Sequence, residues 1–178
     1  AGSDAGSSRT TATLEGDHWT INGHKIFITN SACSLTGVII VQAVTGKRED
    51  GKPEISCLIV PSGTPGFTAK EMKDKMMWRA SNTGELFFDD CVVPKANLLG
   101  KRGDGFHQML ATLEGGRLSI AAMGLGGAQA AFELALQYGN SRIQFGRPIA
   151  SFQINAFKLA DMAPEVELAR NLLYKVCW

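Results

Sequence analysis

With 178 residues, 44% of them hydrophobic, the chain is long enough to bury roughly 70% of its unfolded surface, in one domain or two unequal ones. A formal charge of +1, with 20% charged residues and no block of like charge, provides neither a basic field for nucleic acid nor an acidic tail. The longest apolar runs, such as residues 38–41, are too short to span a bilayer, and no signal-peptide pattern opens the sequence.

In chain order, residues 1–98 carry β signals. Gly16-Asp17 marks a first turn, and Asn22-Gly23, between Trp19-Thr20-Ile21 and Lys25-Ile26-Phe27-Ile28, predicts a tight hairpin, because Asn-Gly tolerates the positive φ of a type I′ turn. β-branched runs at 38–44 and 55–60 flank a polar loop, and 84–88 and 91–93 add two further strand pieces. Short strands with regular turn punctuation predict a small barrel or sandwich. The period then changes. From Asp104, a predicted N-cap, apolar or small residues recur at helical spacing through Phe106, Leu110, Leu113, Ile120 and Leu134 to Tyr138, a helix on the order of 50 Å long. Gly115, Gly116, Gly124, Gly126 and Gly127 each cost this helix about 1 kcal/mol against alanine, so close backbone packing or a ligand is expected to compensate. A second helix is predicted over 151–178, kinked at Pro164. The fold class is therefore α+β: an N-terminal β-barrel or sandwich over 1–98, then a long antiparallel helix pair over 103–178. The helix pair has the form of part of an up-and-down bundle.

Cys33, Cys57, Cys91 and Cys177 lie far apart without a CxxC pair and read as small buried hydrophobes of a reducing compartment. His18, His24 and His107 have no ligand-like spacing, so no metal is expected. The connector Ser141-Arg142-Ile143-Gln144-Phe145-Gly146-Arg147-Pro148-Ile149-Ala150-Ser151-Phe152-Gln153 combines guanidinium donors suited to phosphate oxygens with aromatic rings and amides. On spacing alone it reads as an ordinary helix–helix loop.

Several motifs in order resemble the acyl-CoA dehydrogenase family. They are Ala1-Gly2-Ser3-Asp4-Ala5-Gly6-Ser7, Asn22-Gly23-His24-Lys25-Ile26-Phe27-Ile28-Thr29-Asn30, Phe88-Asp89-Asp90-Cys91-Val92-Val93-Pro94, Gly103-Asp104-Gly105-Phe106, Leu113-Glu114-Gly115-Gly116-Arg117, and the connector with the helix that follows it. The resemblance implies the family's middle β domain over 1–98 and the first two helices of its C-terminal domain over 103–178. The chain opens inside a loop at Ala1 and stops inside a helical pattern at Trp178, which reads as the middle of a longer protein.

The resemblance also implies FAD as cofactor, with Phe27 stacked on the flavin ring and Thr29 hydrogen-bonded to it. The family's usual residue at Phe27 is a tryptophan. Arg142, Gln144, Phe145 and Gln153 would meet the FAD of a neighbouring subunit. Ser3, Glu114 and Arg117 would line the acyl-CoA site. No catalytic residue is assigned, because the upstream position for the family's glutamate is Gly116 and the base is expected downstream of Trp178. The implied reaction is α,β-dehydrogenation of an acyl-CoA thioester by a homotetramer (a dimer of dimers). Electrons would pass to an electron-transferring flavoprotein, in the cytoplasm or the mitochondrial matrix. An oxidase or flavin monooxygenase of the same fold, or a non-catalytic fragment, are the alternatives. Trp78 is expected to pack structurally.

Overall fold

The computed structural model describes residues 2–178 and divides into two compact units, Ala1–Leu110 and Ala111–Trp178. The first is a seven-stranded sheet built from β1 (Thr11–Glu15), β2 (His18–Thr29), β3 (Val38–Lys47), β4 (Pro53–Pro61), β5 (Phe67–Glu71), β6 (Thr83–Pro94) and the two-residue β7 (Leu98–Leu99). Its order is β5-β6-β2-β1-β3-β4-β7, antiparallel except for a parallel bridge between β1 and β3. Alternate residues point inward, and Trp19, Ile21, Val41, Leu58, Val60, Leu86 and Val93 form the centre of the core.

The predicted hairpin at Asn22-Gly23 does not form. The β1–β2 reversal lies at Gly16-Asp17, and β2 runs unbroken through Asn22 and Gly23. Here the asparagine closes a bulge rather than a turn. On β6 the inward positions are Gly84, Leu86 and Phe88, then Cys91 and Val93, so the alternation changes phase at Asp89-Asp90. Asp90 sits at φ 45°, and its backbone N–H donates to Asn22 Oδ1 at 2.8 Å while Asn22 Nδ2 donates to Asp90 Oδ1 at 2.9 Å. That reciprocal pair satisfies the backbone group that the extra residue of a bulge leaves unpaired. The glycine is needed for proximity: at φ 146°, a Cβ on Gly23 would lie 2.7 Å from Thr10 Oγ1 and 2.8 Å from Thr10 Cα. The two strand pieces expected at 84–88 and 91–93 are likewise one bulged strand.

The helices are α1 (Gly105–Ser141) and α2 (Gln153–Cys177), the latter with Pro164 inside it. Within the second unit α2 runs back along α1: a Cβ on Gly139 would lie 3.3 Å from Ala150 Cβ, and farther along Arg170 Nη2 donates to Gln129 Oε1 at 2.5 Å. Between the two helices lies an apolar groove of about 910 Å³, lined by Leu118, Leu125, Phe132, Met162, Val166 and Leu173 among others. Among the described residues a Cβ added at any of the five α1 glycines would meet nothing within 4 Å, so close backbone packing, one of the two expected compensations, is not seen there. By length and composition alone α1 also reaches the measure of a membrane span, a measure that the core helices of soluble proteins reach as well.

Candidate functional site

Two clusters of the sequence-predicted residues are brought together, one in each unit. In the first unit the end of β2 carries a second irregularity. Lys25 pairs with Leu86 but Ile28 pairs with Gly84, so β2 holds one more residue than β6 over this stretch. Phe27 takes up the difference at φ 62°. Bulges re-aim side chains, and non-glycine residues in the left-handed region cost of order 1–3 kcal/mol, so they persist where the surroundings enforce them. Phe27 is 68% exposed, so its side chain is turned away from the core. Beside it Ile26 is exposed, and the exposed hydroxyl of Thr29 has no hydrogen-bond partner among the described residues. An aromatic face and a free hydroxyl two residues apart at a strand end suit a planar, hydrogen-bonding ring system.

Ser3 is exposed in the segment leading into β1, where Ser7 Oγ donates to Asp4 Oδ2 at 2.5 Å. A residue without an assigned role ties this segment to the platform. Lys25 Nζ donates to Ser8 Oγ at 3.1 Å, in the register that pairs Thr11 with Asn22, and so fastens the end of this segment to β2. Burial pushes the Lys25 ammonium below the ordinary lysine range, with Cys57 pulling the other way, and burial raises the Cys57 thiol. A basic residue at alternate spacing from Phe27 and Thr29 was the available signal.

In the second unit the connector forms a short hairpin, β8 (Ile143–Gln144) and β9 (Arg147–Pro148), followed by a 3₁₀ turn over Ile149–Ser151. Phe145 (φ 52°) and Gly146 (φ 74°) form its two-residue turn, the positive-φ pair of a type I′ hairpin. Arg142 follows α1 directly. Its backbone N–H donates to Tyr138 O at 2.8 Å, and its carbonyl accepts from Ile149 N at 2.9 Å. Arg142, Gln144 and Gln153 are exposed, and none of their side chains has a hydrogen-bond or ion-pair partner among the described residues; Phe145 is 93% exposed. An uncommitted guanidinium flanked by two free amides and an exposed ring fits a phosphorylated aromatic group.

Glu114 and Arg117 are both exposed on α1, and no ion pair joins them among the described residues, so neither charge is neutralised by the other. Trp78 is not packed as expected: it is 60% exposed at φ 56°, next to exposed Met76 and Met77. Of the four free cysteines only Cys57 and Cys91 are buried; Cys33 is intermediate and Cys177 exposed.

Comparison with known proteins agrees with both units. Residues 1–91 match the model of the acyl-CoA dehydrogenase middle domain, and residues 103–178 match that of the acyl-CoA dehydrogenase C-terminal domain. The chain belongs to the acyl-CoA dehydrogenase family. It is 54% identical, over its whole length and 46% of the relative's, to the probable acyl-CoA dehydrogenase YngJ of Bacillus subtilis. Among solved structures it resembles butyryl-CoA dehydrogenase from Megasphaera elsdenii, with a TM-score of 0.89 and 46% identity over 98% of this chain and 45% of that one. It also resembles an acyl-CoA dehydrogenase complexed with FAD from Bacillus anthracis, with a TM-score of 0.87 and 38% identity over 98% of this chain and 29% of that one. The chain thus spans about half the length of the curated relatives it matches.

Proposed function

We propose that this chain contributes the flavin- and substrate-facing parts of an enzyme that carries out α,β-dehydrogenation of an acyl-CoA thioester. The observation that carries the reading is the bulged end of β2, which holds the Phe27 ring outward at φ 62° with the unpartnered Thr29 hydroxyl beside it. The relative from Bacillus anthracis is complexed with FAD, and FAD is the cofactor proposed here. When bound, the flavin supplies the hydride-accepting chemistry that no amino-acid side chain provides.

The chain's own residues bind, orient and exclude water. Phe27 covers one face of the ring system, and Thr29 offers its hydroxyl to the ring edge. Arg142 meets the pyrophosphate of a neighbouring subunit's FAD, with Gln144, Phe145 and Gln153 completing that contact. Ser3, Glu114 and Arg117 line the thioester and pantetheine path, where Arg117 supplies a cation and Glu114 an acceptor. Holding the β carbon against the acceptor, away from water, is where such residues contribute to rate. The general base for the α proton is placed outside residues 1–178, because Gly116 has no side chain with which to take a proton.

The electron acceptor is an electron-transferring flavoprotein, the assembly a dimer of dimers, and the compartment the cytoplasm or the mitochondrial matrix. The relative named for butyryl-CoA directs the substrate panel to begin at four carbons. The test uses the complete protein with FAD, acyl-CoA esters of rising length and an artificial electron acceptor, followed by reoxidation in air. Substrate-dependent bleaching of the flavin with slow reoxidation is expected. Rapid reoxidation by oxygen would move the reading to an oxidase, and absence of a flavin band near about 450 nm would refute it. Arg142→Ala should weaken FAD retention by roughly 10- to 100-fold, the range for losing a hydrogen bond to a charged group, and loosen the dimer with it.

A further inference from the structure

We propose that Arg147 is a positioning residue for the cofactor arm, acting through Phe152 to set the direction in which Gln144 and Phe145 are presented; this rests on the reading that the arm meets FAD. Two strands of two residues each cannot hold a hairpin by themselves. The turn also places a bulky residue, Phe145, in the left-handed region, which works against the hairpin. Its base is well tied: Ile149 N donates to Arg142 O at 2.9 Å, Asn155 Nδ2 donates to Ile149 O at 2.8 Å, and Ser151 Oγ donates to Pro148 O at 2.7 Å. None of these bonds reaches the tip.

The tip is held by rings and one cation. Phe152, half-buried at the start of α2, is the shared anchor. Phe145 meets it edge-on, with centroids 6.1 Å apart and planes at 84°, and the Arg147 guanidinium lies 4.2 Å above its ring. Both geometries are favourable for an aromatic quadrupole. Among the described residues Arg147 makes no ion pair and no side-chain hydrogen bond, and the Phe152 ring is the one partner its guanidinium has there. It also stands directly opposite Gln144 across the hairpin, where cross-strand side chains share a face. Through this stack the start of α2 holds the turn residue Phe145 and the strand residue Arg147 that follows the turn, and the arm is pre-organised before a ligand arrives.

The test measures FAD affinity of the complete apoprotein by quenching of flavin fluorescence, together with kcat at saturating FAD. Arg147→Met and Phe152→Leu should each raise the FAD Kd about 2- to 5-fold, the range for an exposed cation–ring contact. The double variant should be no worse than the more affected single one, and kcat at saturating FAD should stay within a factor of two. Arg147→Lys, which keeps the cation, should recover part of the loss. Unchanged affinity in Arg147→Met would overturn the proposal. So would an undiminished effect of Arg147→Met in the Phe152→Leu background, which would make Arg147 a direct phosphate ligand. Arg142→Ala serves as reference: if it alone leaves the Kd unchanged, the arm does not hold FAD and this inference falls with that reading. A loss in Arg142→Ala without one in Arg147→Met overturns this inference only.

Discussion

Replacing Gly23 with alanine should damage both the sheet and the platform it carries. A Cβ at this position would lie 2.7, 2.8 and 2.9 Å from Thr10 Oγ1, Cα and Cβ, all atoms of the neighbouring chain segment rather than the far end of a flexible side chain. Two costs add. Holding a non-glycine residue at φ 146° costs about 1–3 kcal/mol. Overpacking a close backbone contact costs about 1–3 kcal/mol more, so the total is about 2–6 kcal/mol. Relief would come from moving β2 away from residue 10, which pulls Lys25 from Ser8 and loosens residues 3–7. Gly16→Ala is the control: its φ of 58° is also left-handed, but nothing lies within 4 Å, so only strain of about 1–2 kcal/mol applies. Amide hydrogen exchange across residues 11–29 of the complete protein reads this sheet's opening free energy separately from that of the helices. FAD affinity should fall in Gly23→Ala and not in Gly16→Ala. If Gly23→Ala were no more destabilising than Gly16→Ala, the close approach of residue 10 would not be what demands glycine, and the argument would fail.

Thr29→Val keeps the volume and removes the hydroxyl, so flavin reduction by substrate should slow about 2- to 12-fold, the worth of one hydrogen bond; an unchanged stopped-flow rate removes Thr29 from the site. Glu54 carries a pH dependence of stability. Burial would raise its pKa, but hydrogen bonds from Arg102 at 2.6 Å and Thr45 at 2.9 Å, with the Arg102 charge, hold it below the usual carboxylate value. Because the folded value is depressed, its contribution is complete above the unfolded value of about 4.3 and lost as pH falls through the folded value. Urea midpoints of the native protein and Glu54→Gln should therefore differ at pH 7 and converge in acid, and a gap that is the same at both pH values would refute the linkage.

Much of the site was legible in the sequence as residue types in order. Arg142, Gln144, Phe145 and Gln153 lie within twelve positions of one another, and local chemistry (an Asn-free turn with Gly146, a proline, then a helix) already placed them on one short connector. Phe27 and Thr29 were legible as candidates, but the direction of Phe27 was not. It depends on a bulge, and a bulge is a mismatch of register between two strands, a property of β2 and β6 together that neither segment encodes alone. For the same reason Asn22-Gly23 read as a turn. A local preference for positive φ is satisfied equally by a hairpin and by a strand whose neighbour presses against it, and only the position of Thr10 distinguishes the two.

Composition and periodicity determined that an all-β segment precedes two long helices, because the change from a period of two to one of about 3.6 is written residue by residue. Tertiary structure alone decided which face of each element is turned outward. The Lys25–Ser8 tie, the Asn22–Asp90 bulge closure and the Arg147–Phe152 stack join positions whose meeting depends on strand pairing or loop closure. Each is a weak interaction that local propensity cannot anticipate, since its worth exists only once burial and backbone hydrogen bonding have already brought the partners together.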